Sequence, residues 1–135
     1  MTPKRTVFME VVSWGDKGFL TEWYKDELDD EGKAEFDSLL ITLAAAPRLS
    51  WSMPDFKPLG GGICELRFPA SKKAYRPLGY DGPSPNQFTI LVGAYKKMRQ
   101  WTPRDAQRTA AKRRREVATG ARKVRKYAEH LFTDV

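Results

Sequence analysis

Apolar and polar positions change period several times along this chain, and each change marks an element. TVFMEVVSW at 6–14 is rich in β-branched and aromatic residues, which predicts a first strand. Gly15-Asp16-Lys17-Gly18 breaks it. Phe19, Leu20, Trp23 and Tyr24 then group at helical spacing, so 19–29 reads as a helix or an irregular turn. Asp29-Asp30-Glu31 puts negative charge where a helix dipole favours it, and Phe36, Leu39, Leu40 and Leu43 follow at three- and four-residue steps. A helix to about Ala46 is expected, stopped by Pro47.

Residues 47–62, with three prolines and three consecutive glycines, read as a packed connecting loop. No Gly-Lys-Ser/Thr follows Gly60-Gly61-Gly62, so the glycines are not a phosphate loop. ICELRFP at 63–69 alternates, with Ile63, Glu65 and Arg67 on one face and Cys64, Leu66 and Phe68 on the other. A short strand over 74–80, interrupted by Pro77, and a third over 87–95 complete an antiparallel meander, with turn chemistry at 81–86 between them. Thr102-Pro103-Arg104-Asp105 reads as a helix start, Thr as N-cap and Pro at the first helical position. That helix runs to about Thr119, Gly120 breaks it, and a last helical stretch spans 122–132. The expected order is β-α-α-β-β-β-α in one α+β domain over 1–135, with a C-terminal helical extension over 120–135.

Charge changes the picture more than composition does. The 135 residues carry a net charge of +7. Residues 10–37 hold ten acidic and three basic side chains, whereas 95–126 hold thirteen basic and two acidic ones. Polarity of that kind points to a polyanionic partner for the basic end, and nucleic acid is preferred over a merely solvated helix face. One cysteine, Cys64, excludes an internal disulfide and fits a reducing cytoplasm. With one histidine, His130, near the end, a Cys/His zinc cluster is excluded and no metal or other cofactor is expected. No apolar run approaches the roughly 20 residues of a membrane span. MTPKRTVFMEVV is interrupted by Glu10 and reads as a strand rather than a leader.

Three stretches in order carry a resemblance: GGICELRF at 61–68, AYRPLGY at 74–80, and ILVGAYKKMRQWTPRDAQRTAAKRR at 90–114. Together they resemble the RelE/ParE superfamily of type II toxins, and within it the HigB-like, phage-derived branch, over roughly residues 5 to 118. The resemblance implies a small twisted antiparallel sheet with two helices packed on one face, a basic concave surface on the other, and a basic C-terminal helix. It implies a toxin that cuts mRNA on the ribosome and is neutralised by a helix-turn-helix antitoxin. By the same resemblance, Arg76 matches the arginine that binds the scissile phosphate. Lys97, with Lys96 or Arg99 beside it, stands where a second essential cation follows the last strand. Two stretches depart from the pattern. Ile63 and Glu65 occupy a strand that carries basic catalytic residues in the RelE type, and Trp101 and Thr102 stand near the place of a catalytic tyrosine.

The residues themselves support this chemistry. Metal-free RNA cleavage needs a base for the 2′-hydroxyl, positive charge at the phosphorus and an acid for the leaving oxygen. Without a histidine on the sheet, clustered cations serve, with Arg clamping the phosphate. Arg67, Arg76, Lys96 and Lys97 are the catalytic candidates, and Glu65 is either a general base or the ion-pair partner of Arg67, the latter preferred. Arg99, Arg104, Arg108, Lys112, Tyr80 and Tyr95 are RNA-binding candidates, the tyrosines by stacking or proton transfer. Plainer roles stand beside these. Arg76 can pair with Asp81, Lys96-Lys97 can be a solvated strand end, and KRRR at 112–115 is a solvated or RNA-docking helix face. Trp14, Trp23, Trp51, Phe56 and Cys64 are expected in the core. Two other functions remain open: a gyrase-inhibiting toxin of the ParE type, and a phage-derived protein that binds nucleic acid without cutting it.

Overall fold

The computed structural model describes residues 5–132. The ends of the N-terminal segment and of the expected extension, residues 1–4 and 133–135, lie outside the described residues. Strand β1 (Val7–Val11) leads into helix α1 (Phe19–Glu27). The first turn of α1 is capped from outside: the Glu10 carboxylate accepts from the Thr21 backbone N–H at 2.8 Å and from its hydroxyl at 2.7 Å. Helix α2 (Asp30–Ala45) has Asp29 as N-cap, accepting from the Gly32 N–H at 2.8 Å. Its stripe Phe36, Leu39, Leu40 and Leu43 is buried, as the spacing predicts.

After a 3₁₀ turn at Arg48–Ser50 come β2 (Phe56–Gly60), β3 (Ile63–Leu66), β4 (Phe68–Ala70), β5 (Lys73–Tyr75) and β6 (Leu78–Asp81). Then follow β7 (Gln87–Val92), β8 (Tyr95–Lys97) and β9 (Gln100–Thr102). The three runs expected as single strands do pair antiparallel, but each bends and divides between two sheets. The bends fall at Arg67, at Arg76-Pro77 and at Gly93-Ala94. Hydrogen bonding continues through them, with the Leu66 N–H donating to the Pro77 carbonyl at 2.9 Å and the Arg76 N–H to the Ala94 carbonyl at 2.8 Å. Pro77 has no N–H to give, so the ladder is weakest where the chain turns.

The result is α+β, with a six-stranded sheet in the order β10-β1-β7-β6-β3-β2 and a four-stranded sheet in the order β4-β5-β8-β9. The larger sheet is mixed, not antiparallel throughout: β1 pairs parallel with β7, because the chain passes through both helices before it returns beside β1. Strand β10 (Val124–Lys126) then pairs antiparallel with the other edge of β1. The helix expected over 122–132 is therefore a strand and a 3₁₀ turn (Glu129–Phe132). An open edge of β1 outcompetes weak helical periodicity, and Ala128, with φ of 58°, ends any helical continuation. Arg125 fastens this segment, its Nε donating to Glu10 Oε2 at 3.0 Å.

Helix α3 (Ala106–Ala118) starts later than expected, with Asp105 as N-cap. Thr102 is already committed to β9, opposite Tyr95. The hydrophobic groups lie in two layers. Phe8, Phe88, Ile90, Leu66 and Phe68 meet α1 and α2, whereas Val11, Leu78, Leu91 and Val92 meet Ala106 and Ala110 of α3. Helices α1 and α2 lie against one layer and the basic helix α3 against the other, so α3 covers part of the face on which the resemblance implies an open basic surface. Trp51, Phe56 and Cys64 are buried and Trp23 packs on the core, but Trp14 is 77% exposed, with the Arg122 guanidinium 4.5 Å over its ring. No helix among the described residues is long and apolar enough to cross a membrane.

Candidate functional site

Strand register decides which cations share a face. In the four-stranded sheet, Phe68 lies opposite Tyr75 and Tyr75 opposite Tyr95. These three aromatic side chains mark the inner side, with the Phe68 and Tyr75 rings stacked at 4.9 Å. Pro69, Ala74, Lys96 and Trp101 are aligned across the other side. Arg67 and Arg76 keep the same parity at the bends, and they line one groove of about 550 Å³ together with Pro69 and Ala74. Arg67 and Arg76 thus share a groove, and Lys96, paired with Ala74, belongs to the same side of the sheet without lining that groove.

Glu65 links the two arginines. It is 3% exposed, and its Oε1 accepts from Arg67 Nη1 at 2.8 Å and lies 4.0 Å from Arg76 Nε. Its Oε2 is buried and without a hydrogen-bond partner. The ion pair with Arg67 is the preferred sequence expectation. Arg76 also donates from Nη1 to the Tyr75 carbonyl at 2.7 Å, which fixes its direction. Burial and the Arg67 charge beside it hold the Arg76 guanidinium below its ordinary pKa, partly offset by Glu65. Two arginines around one carboxylate leave an uncompensated positive charge, which suits an oxyanion such as phosphate. The alternative partner of Arg76 is occupied elsewhere, because Asp81 takes a two-pronged bond from Arg48, at 2.7 and 2.8 Å.

Other candidates are dispersed. Lys97 follows Lys96 and alternates to the opposite side of β8, opposite Gln100. Arg99 is exposed at the β8–β9 turn. Arg104, Arg108 and Lys112 are exposed on or just before α3, and none lines the groove of Arg67 and Arg76. Tyr80 is 7% exposed beneath α3, with the Arg114 guanidinium 5.0 Å over its ring, so it presents no stacking surface. Tyr95 is turned to the inner side, in a cleft with Trp23 and Tyr75, away from Arg76.

Lys72 is not among the residues expected from sequence, and Trp101 is expected there only as a departure from the family pattern. Lys72 lines the groove beside Arg67 and Arg76 from the β4–β5 turn, and the Ser71-Lys72-Lys73 run was its available signal. Trp101 supports Lys96, whose Nζ sits 4.7 Å over its ring. Among the described residues no group of three His, Cys, Asp or Glu side chains is placed to hold a metal ion. Compared with family models, with curated proteins and with solved structures, the chain matches none.

Proposed function

We propose that this chain is the toxin of a type II toxin–antitoxin pair, of the HigB-like RelE/ParE kind, and that it cuts mRNA on the ribosome. One observation carries the reading: Arg67, Arg76 and Lys96 lie on one open sheet side, with a buried carboxylate holding the two arginines together. In the proposed reaction the ribose 2′-hydroxyl attacks the adjacent phosphorus and the bond from phosphorus to the 5′-oxygen breaks. A 2′,3′-cyclic phosphate and a free 5′-hydroxyl result. Arg76 and Arg67 neutralise the charge that gathers on the phosphorane oxygens. Lys96 is the acid–base candidate on that side, since Tyr80 is covered and Tyr95 faces away. Glu65 positions the arginines. The exposed cations of α3, Arg108 and Lys112, supply ribosome contacts that weaken with salt. A helix-turn-helix antitoxin would cover the same basic side, in the cytoplasm.

Mapping new mRNA 5′ ends after adding the purified protein to programmed ribosomes tests this reading. Cuts within A-site codons support it, and intact message rejects it. A second reading, a protein that binds nucleic acid without cutting it, is favoured by one feature: Glu65, the carboxylate that contacts both arginines, is buried and already paired with Arg67. Salt-dependent RNA binding with no new 5′ ends would select it. Intact message together with inhibited DNA supercoiling would select the gyrase reading.

A further inference from the structure

The β8–β9 hairpin has features that the phosphate-binding side does not use. Lys97 pairs with Gln100, so Met98 and Arg99 alone connect the strands. Both have positive φ, 52° and 70°. Two-residue connections of this kind match the twist of the strands and are ordinarily built from Asn and Gly, because other side chains crowd the backbone there. Here the two positions hold a methionine and an arginine. Met98 is 88% exposed, and Lys97 and Arg99 flank it in solvent. From 95 to 102 the hairpin carries three cations and no acid. An unfavourable backbone kept at an apolar tip between cations points to a task outside the chain.

We propose that this hairpin is a docking finger for structured RNA, and the proposal rests on RNA being the partner, as in the function above, but not on cleavage. Lys97 and Arg99 hold phosphates on the two sides of the tip, which gives position without sequence preference. Met98, unbranched and polarisable, presses on bases left unstacked in a bulge or loop. Lys96, seated on Trp101, stiffens the base of the finger. A protein partner with an acidic patch or an anionic membrane shares the charge demand but offers no bases to the methionine.

The test is the double variant Met98→Asn/Arg99→Gly, which installs the residues that this turn prefers. Binding is read by fluorescence anisotropy with a labelled bulged RNA stem-loop in about 0.1 M salt. Phosphatidylserine vesicles serve as the competing anionic surface. The thermal midpoint is expected to stay equal to wild type or rise, while RNA affinity falls about tenfold. Met98→Ser alone is expected to lose several-fold in affinity with the salt slope unchanged, because no charge is removed. Unchanged RNA affinity in the double variant overturns the finger, as does wild-type protein that binds vesicles and not RNA. The two proposals fail separately. Cleavage with normal binding in the double variant removes the finger alone. Finger-dependent binding without cleavage removes the nuclease alone.

Discussion

Glu65 accepts a hydrogen bond from Arg67 at 2.8 Å while 97% of its own surface is hidden, since it is 3% exposed. A buried carboxylate between two guanidiniums is costly to remove, because the cations are then left facing each other. Glu65→Ala is expected to lower the free energy of unfolding by about 3 kcal/mol. Glu65→Gln keeps the shape and separates two roles. A positioning Glu65 loses less than about tenfold in cleavage on that change, whereas a general base loses about a hundredfold or more. Chemical denaturation and single-turnover cleavage, measured on both variants, check this.

Gly93 is expected to tolerate no side chain. A Cβ there would lie 2.0–2.3 Å from atoms of the Trp23 ring, which packs flat against the bend between β7 and β8. Gly93→Ala must push Trp23 away from Phe36 and Tyr75, its edge-to-face neighbours. Overpacking of this kind costs about 2 kcal/mol. A lower thermal midpoint with a red-shifted tryptophan emission is the expected result.

Arg125 ties the C-terminal strand to the body through Glu10, which is 2% exposed. Arg125→Ala is expected to cost about 2 kcal/mol, because a buried carboxylate loses the guanidinium paired with it while keeping the Thr21 bonds. The loss should be local. Faster hydrogen exchange at the β1–β10 ladder, with the β6–β7 ladder protected as before, is the expected signature.

Tyr24 predicts an alkaline limb of the stability curve. Burial, then its hydrogen bond to Asp37 at 2.9 Å and that carboxylate's charge, push the phenol from 10.0 up to about 12. The neutral phenol is the form that the fold favours. The contribution is therefore complete below pH 10.0 and fades as pH rises to about 12. Burial raises the Tyr127 phenol in the same direction. Asp37→Asn should lower the Tyr24 titration midpoint, as read from phenolate absorbance, and Tyr24→Phe should flatten the stability curve above pH 10.0.

The legible parts of this chain were those in which local pattern and tertiary demand agree. The α2 stripe, the stop at Pro47, the inward Cys64 and the Glu65–Arg67 pair all follow from spacing and parity. The bends at Arg67, Arg76-Pro77 and Gly93-Ala94 were not legible, because a continuous alternating run does not state where it changes sheets. Nor was β10, since Val124, Tyr127 and Leu131 fit a helix until an open strand edge competes for the backbone. At the site, antiparallel pairing of neighbouring runs brings Arg67 and Arg76 together, but the cover on Tyr80 is not legible: α3 comes to lie over it, which no local spacing announces.

The most direct measurement is single-turnover cleavage of message on programmed ribosomes by wild type, Arg76→Lys and Arg76→Ala, each with its unfolding midpoint recorded. Wild type is expected to make A-site cuts, and both variants to lose at least about a hundredfold while still folded at the assay temperature, because a lysine cannot replace the two-pronged grip on phosphate. Cuts of undiminished rate in a folded Arg76→Ala protein, or no cuts by wild type, would contradict it.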